Sequence, residues 1–226
     1  EKKYRKPVNY IPSATNDPVY LPPSKIKSYG VEGGDYVLFV ARLVPEKGCH
    51  FLIEAFNRLK TDKKLIIAGG SSHSDEYVKD LQRMAGDNVI FTGYVYGDEL
   101  HELYTNAYCY VQPSTIEGMP ITLLEAIAYG RCVIASNIPA NLEVVKDTGF
   151  IFESENVDDL ERALVQALGD PDMVDNLGRR AQEMGVTEYS YDSIAEKTLK
   201  LYAAVANGQN GLIEGLDTQL SEKQDQ

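Results

Sequence analysis

The sequence has few of the features that mark secreted, membrane-spanning or metal-binding chains. It contains only three cysteines, an odd number that lacks metal-ligand spacing and falls within apolar patterns: Cys49, Cys109 and Cys132. We expect them to be small buried hydrophobic residues in a reducing compartment, which favours a cytoplasmic protein. No secretory signal is present, and no apolar run approaches the roughly 18 residues that a membrane-spanning helix needs.

Positive charge is also scarce. Lysine and arginine number 22 against 34 aspartates and glutamates, so the formal net charge is −12. This balance argues against general binding to nucleic acid, and no run of basic residues suggests an anionic membrane surface. Charges farther apart than about 8 Å are largely screened, so an anionic ligand would depend on local cations.

Short apolar strands alternate with helical patterns from Tyr36 onward, and the 43% hydrophobic content allows a sizeable core. The pattern predicts strands at 36–43, 64–68, 89–94, 109–112, 132–136 and 150–152 and helices at 48–60, 75–85, 98–107, 120–129, 157–168, 173–185 and 193–207. All-apolar strands separated by helices predict an α/β fold with a doubly wound parallel sheet, Rossmann-like, covered on both faces. Ligands are then expected at the carboxyl ends of the strands.

The two ends of the chain lack this regularity. Residues 1–34 are expected to form a linker and edge segment, residues 35–207 the Rossmann-like domain with its C-terminal helices, and residues 208–226 a disordered tail. The chain does not begin with Met, and we expect it to be a fragment of a longer protein.

One helix, within the stretch 113–130, carries a carboxylate among apolar residues. The neighbours of Glu125 leave no broad polar face, so this side chain should be at least partly buried and should need a partner. The partner can be a structural one, a salt bridge or a backbone group, or it can be a ligand. Gly118 permits close approach of the backbone, and Pro120 suits the first helical position. Free amides and the helix dipole there favour a phosphate, and Glu125 can then accept two vicinal sugar hydroxyls.

Two cations, Arg42 and Lys47, lie in the loop that leaves the first regular strand, at the same predicted edge of the sheet. An Arg fork and a mobile Lys ammonium can hold a diphosphate together. The alternative is a solvated surface pair with Glu46. His73, in another loop of this edge, is expected to be solvated. Asp170 and Asp172 flank Pro171 and are expected to form a turn and an N-cap instead of a cation site.

Three motifs together carry a resemblance to a known family. ARLVPEKG with Arg42 and Lys47, FTGYV at 91–95, and EGMPITLLE from Glu117 to Glu125 resemble the signatures of retaining, nucleotide-sugar-dependent glycosyltransferases of family 4. Their order and approximate spacing agree with that family, which has the GT-B fold. The match spans about 36–202, the C-terminal, donor-binding half of such a fold.

The resemblance implies a role for each matching position. Arg42 and Lys47 would bind the donor diphosphate, and Glu125 the ribose. Glu117 would lie near the transferred sugar, where it must point at hydroxyls or pair with one of the cations, because phosphate repels it. The remaining donor contacts would come from Gly118, the amides of Met119, Ile121 and Thr122, and Val95 near the base. Pro120 replaces the commoner glycine and removes one amide.

The reaction implied is transfer of a glycosyl group from a nucleoside diphosphate sugar, with a UDP-sugar favoured, and with retention at the anomeric carbon. Arg42, Lys47 and Glu117 would be the catalytic residues, and no metal or other cofactor would be needed. The acceptor, a glycan or a lipid-linked molecule, would be bound by a missing N-terminal half, through which the enzyme could associate with a membrane. The chain alone is expected to bind the donor without turning it over.

Other functions fit the same fold. A dehydrogenase is excluded because AGGSSHS lacks the spaced glycines that bring a helix against pyrophosphate. A nucleotide-sugar epimerase, a glycan phosphorylase and a non-catalytic nucleotide-sugar-binding module remain open, and product assays would distinguish them.

Overall fold

A six-stranded parallel sheet forms the centre of the protein. The structure, a computed structural model, describes residues 8–71, 75–209, 211–214 and 216–219. The sheet has the order β4-β3-β2-β5-β6-β7. Its strands are β2 (Tyr36–Val40), β3 (Lys64–Ala68), β4 (Val89–Gly93), β5 (Cys109–Gln112), β6 (Cys132–Ser136) and β7 (Gly149–Phe152). The predicted α/β fold with a parallel sheet is confirmed.

Helices follow the strands and cover both faces of the sheet. They are α1 (Cys49–Asn57), α2 (Asp75–Met84), α3 (Asp98–Asn106), α4 (Ile121–Ala128), α5 (Pro139–Val145), α6 (Val157–Gly169), α7 (Pro171–Tyr189) and α8 (Tyr191–Ala206). Short 3-10 helices occupy Lys25–Tyr29 and Pro45–Lys47. Among the described residues, no helix combines the length and the apolar character that crossing a bilayer demands.

Burial on both faces explains why the strands are almost wholly apolar. In β2, Val37 and Phe39 pack into the cluster on one face of the sheet, whereas Tyr36 and Leu38 pack into the cluster on the other. Alternate side chains of a strand point to opposite faces, so a strand covered on both sides shows no polar alternation. The three cysteines are free and buried, as predicted.

The strand order reverses direction between β2 and β5. From β2 the chain moves outward through β3 and β4, and from β5 it moves outward the other way through β6 and β7. Loops that leave two such strands diverge at the carboxyl edge and form a crevice, the usual ligand site of open α/β sheets. Here the loops are 41–48, after β2, and 113–120, after β5. They are the segments that carry Arg42, Lys47 and Glu117.

The ends of the chain are more ordered than the sequence suggests. Within the predicted linker, Ile26 is fully buried, and the amides of Ser24 and Ile26 donate to the Glu102 carboxylate on α3 at 2.8 and 3.2 Å. Within the predicted disordered tail, β8 (Asp217–Gln219) pairs antiparallel with β1 (Val8–Tyr10). For these three residues the prediction of disorder is wrong, because their pairing partner lies at the other end of the chain.

Two further differences from the sequence analysis are local. Helix α5 was not predicted, because it has only seven residues and begins with a proline. The first regular strand ends at Val40, three residues earlier than predicted, because the chain turns into the loop that carries Arg42. His73 lies outside the described residues, as do residues 1–7 and 220–226.

Gly48 provides a test of the packing that positions Lys47. It has φ 68°, and an added Cβ would lie 2.0 Å from the backbone oxygen of Pro113. Gly34 has φ 77° with nothing within 4 Å. We expect Gly34→Ala to cost about 1–2 kcal/mol of unfolding free energy from backbone strain alone, and Gly48→Ala about 3 kcal/mol or more because the two loops must also separate. Denaturant unfolding measures both, and equal costs would contradict this packing.

Candidate functional site

The N-terminal end of α4 opens into the crevice with unpaired backbone amides. Pro120 precedes the helix without a side-chain cap, and its carbonyl accepts from the amides of Leu123 and Leu124, both at 3.1 Å. The amides of Met119, Ile121 and Thr122 donate no hydrogen bond to any residue that the structure describes. The first amides of a helix point along its axis, where the dipole adds positive potential. This end of α4 is therefore suited to an anion.

Lys47 reaches from the loop after β2 to the loop after β5. Its Nζ lies 2.7 Å from Glu117 Oε1, and the two side chains are only 18% and 6% exposed. A backbone hydrogen bond of 2.9 Å from Thr115 N to Glu46 O joins the same loops. Of the two arrangements expected for Glu117, pairing with a cation is the one observed. The pair brings together two residues that are 70 positions apart in the sequence.

Two neutral side chains complete the environment of Glu117. Gln112 Nε2 and Ser114 Oγ both donate to Glu117 Oε1 at 2.7 Å, and both residues are buried. Gln112 and Ser114 were not among the predicted site residues. The available signal was a glutamine that ends an otherwise apolar strand, followed two residues later by a serine. Oε1 thus has three donors, whereas Oε2 is hydrogen-bonded to no described residue.

Arg42 lies at the same edge but is not part of this pair. The residue is exposed, and its guanidinium forms no ion pair with Glu46 or with any other described residue. The surface pair considered as an alternative is therefore not formed. Within the described ranges Arg42 is thus an exposed cation without an anionic partner, in the loop that follows β2.

Glu125 is partly buried on α4 and has a tyrosine as its partner. The hydroxyl of Tyr104 lies 3.0 Å from Glu125 Oε2 and 3.2 Å from the carbonyl oxygen of Thr122. Burial raises the pKa of Glu125 above its ordinary value, while the Tyr104 hydrogen bond and the charge of His101 oppose that rise. Neither a salt bridge nor a backbone donor holds Glu125 within the described chain. One donor leaves a carboxylate with unused acceptor capacity.

The loop after β4 places Val95 beside the same face of the sheet as α4. The Val95 side chain is 9% exposed and belongs to the cluster that includes Leu124 of α4. Tyr94 and Tyr96 on either side are 52% and 73% exposed, and their rings lie nearly parallel at 6.3 Å. A cleft of about 440 Å³ lies next to Tyr94, between the ends of β3 and β4 and helix α2.

The Asp170-Pro171-Asp172 segment serves as a helix start. Asp170 Oδ1 accepts from the amide of Met173 at 3.0 Å and so caps α7, which confirms the predicted N-cap. No group of three or more acidic, histidine or cysteine side chains placed to hold a metal occurs within the described ranges.

The fold and the site define an α/β protein of the Rossmann class, with a crevice that carries Lys47, Glu117 and the start of α4 where its strand order reverses. The chain belongs to the glycosyl transferases group 1 family, whose family model matches residues 23–184. This match covers the sheet, the Lys47 loop and α4.

Individual relatives agree with this assignment. An uncharacterized glycosyltransferase, MJ1607 of Methanocaldococcus jannaschii, is 33% identical over 183 residues, 78% of this chain and 47% of its own. Sucrose-phosphate synthase from Thermosynechococcus elongatus has a similar structure, with a TM-score of 0.77 and 26% identity over 88% of this chain and 53% of that one. Anabaena Alr3699/HepE, in complex with UDP, has a TM-score of 0.73 and 20% identity, covering 81% and 51%. The chain spans about half the length of the curated relatives it matches.

The raised pKa of Glu125 has a measurable consequence for stability. The folded chain holds the Glu125 proton more tightly than the unfolded chain does, so protonation of Glu125 stabilises the folded state. This stabilisation is fully present below the unfolded pKa, near 4.5. It is lost as the pH rises through the folded pKa. Glu125→Gln has no such proton, and we expect its stability relative to the wild type to increase as the pH rises above about 4.5. Thermal unfolding at several pH values measures this trend.

The exposed Glu183 on α7 is the matched control. Glu183→Gln should show no increase of this kind over the same range. A Glu125→Gln variant whose stability parallels that of the wild type at every pH would mean that burial does not govern this carboxyl.

Proposed function

We propose that this chain is the donor-binding half of a retaining, family 4 glycosyltransferase. The enzyme transfers a hexosyl group from a UDP-sugar to a glycan or lipid-linked acceptor held by an N-terminal half. The observation that carries the proposal is the 2.7 Å contact between Lys47 and Glu117, which joins the two strand ends beside the unpaired amides of α4. The complex of Anabaena Alr3699/HepE with UDP supports the choice of donor.

The diphosphate would lie between α4 and the two cations. Lys47 has an ammonium with three donors, of which Glu117 uses one, and Arg42 is free to add a forked pair of hydrogen bonds. Charge develops on the leaving diphosphate as the glycosidic bond breaks. Fixed cations and helix amides stabilise that charge without reorganising, which is the usual source of the largest catalytic effect.

The two carboxylates would hold the rest of the donor. Glu125 lies one turn beyond the first residues of α4, and its unused acceptor positions would take the two ribose hydroxyls. Glu117 presents Oε2 to the transferred sugar, because Oε1 is already occupied by three donors. Val95 would adjoin the base. In this arrangement Arg42, Lys47 and α4 balance the diphosphate charge, and the reaction proceeds without a metal ion.

Calorimetry with UDP and with pyrophosphate tests the proposed contacts separately. Arg42→Ala and Lys47→Ala should weaken both ligands by about tenfold or more, since each removes a charge-assisted contact to phosphate. Glu125→Gln should weaken UDP but leave pyrophosphate unchanged, because only UDP has the pentose. Arg179→Ala, on the exposed side of α7, removes the same charge elsewhere and should change neither.

Several outcomes would reject this site. Equal losses for Arg42→Ala and Arg179→Ala would make the effect one of general charge. Loss of pyrophosphate binding in Glu125→Gln would assign Glu125 a structural role. GDP and ADP, measured alongside, should bind more weakly than UDP, and chelators should leave the affinity unchanged.

Turnover distinguishes a transferase from the other functions that the fold allows. We expect this chain alone to bind UDP-sugar and form no product, and the full-length protein to transfer the sugar with retained anomeric configuration, as followed by NMR. Release of an epimerised sugar or phosphate-dependent cleavage would instead indicate an epimerase or a phosphorylase. Appreciable sugar transfer by this chain alone would contradict the proposal that the N-terminal half is needed to bind the acceptor.

A further inference from the structure

A buried glutamine, Gln112, lies between the N-terminal end of α4 and the Lys47–Glu117 pair. Gln112, the last residue of β5, is 1% exposed. Its Oε1 accepts from the hydroxyl of Tyr110 at 2.7 Å, and its Nε2 donates to Ser114 Oγ at 2.9 Å and to Glu117 Oε1 at 2.7 Å. A buried amide without partners would be costly, and this one uses both of its N–H donors and accepts one hydrogen bond at its oxygen. Gln112 is therefore held in one orientation.

The same line of hydrogen bonds continues to α4. The hydroxyl of Tyr110 also lies 2.9 Å from Thr122 Oγ1, on the second residue of the helix. Tyr110 is fully buried in the core between the sheet and α4. Thr122, Tyr110, Gln112 and Glu117 thus form one connected polar path that ends at Lys47. The end of the helix and the carboxylate are positioned relative to each other through the buried side chains of Tyr110 and Gln112.

This arrangement determines what Lys47 can do. Glu117 is nearly buried, and a buried carboxylate whose only partner was Lys47 would lose much stability if the ammonium turned toward a ligand. Gln112 and Ser114 already supply two neutral donors to the same oxygen. Glu117 can therefore keep hydrogen bonds while Lys47 is shared with, or moves to, a phosphate.

We propose that Gln112 is a positioning residue. Its amide keeps a hydrogen bond to the Glu117 carboxylate, so that Lys47 can engage the diphosphate of a bound nucleotide. This inference rests on the proposed function of the site. In this proposal Gln112 does not contact the ligand. Its effect on binding is transmitted through Glu117, and that dependence can be measured.

A double-mutant cycle isolates the effect. Gln112→Met keeps the length of the side chain but removes both N–H donors of the amide, so Glu117 loses one neutral partner and should hold Lys47 more tightly. Pyrophosphate should then bind about tenfold more weakly. In a Glu117→Gln background there is no anion to retain Lys47. There, adding Gln112→Met should change the affinity for pyrophosphate by less than about twofold. A side chain that merely fills space would produce the same loss in both backgrounds.

Gln182, on α7, offers a matched control. Its Nε2 donates to the carbonyl of Ala128 at 2.6 Å, at the end of α4 remote from the site. Gln182→Met should lower the melting temperature with little change in the affinity for pyrophosphate. Gln112→Asn, whose amide is one methylene too short to reach Glu117, serves as a second variant and should weaken binding in the same direction.

The outcomes separate this inference from the proposed function. If the wild type binds pyrophosphate and Gln112→Met weakens that binding equally in the wild-type and Glu117→Gln backgrounds, the role of Gln112 is overturned and the donor site stands. The same holds if neither Gln112 variant weakens binding. A wild-type chain that binds neither UDP nor pyrophosphate would overturn both. A loss that disappears in the Glu117→Gln background is the result we expect.

Discussion

The contact between two loops at neighbouring strand ends is the constraint on which the site depends. Parallel strands β2 and β5 deliver their loops to the same edge of the sheet, and the loops touch where Gly48 lies against Pro113 and where Thr115 bonds to Glu46. That contact lets Lys47 reach Glu117 at 2.7 Å. Moving the loops apart would separate the cation from both the carboxylate and α4, so the chemistry of the crevice follows from the topology of the sheet.

The site carries positive charge that its carboxylates do not fully pair, although the chain as a whole is strongly acidic, with a formal net charge of −12. Lys47 is matched by Glu117, whereas Arg42 and the first amides of α4 have no anionic partner among the residues described. An arriving diphosphate would therefore meet one free cation, one cation that must be shared, and a helix end. Neutral donors to Glu117 reduce the cost of that sharing, because they remain in place when Lys47 moves.

The sequence predicts the sheet and its ligand edge well, for identifiable physical reasons. Strands buried on both faces, such as β2, are continuously apolar, and helical spacing separates them. Once the strands are parallel, Arg42, Lys47 and Glu117 must share an edge. Gln112 could not be assigned in this way, because its partners are chosen by side-chain orientation across two loops. The pairing of β1 with β8 likewise depends on an encounter between the two ends of the chain, which no local pattern records.

The central claim is that one crevice grips a diphosphate with Lys47, Arg42 and the end of α4, while Glu125 holds the adjoining pentose. A crystal structure of this chain with UDP tests that claim most directly. The account predicts phosphate oxygens within hydrogen-bonding distance of Lys47 Nζ and the amides of α4, and ribose hydroxyls on the Glu125 carboxylate. UDP bound instead in the cleft between Gly70 and Tyr94, with no contact to Lys47 or Glu125, would contradict it.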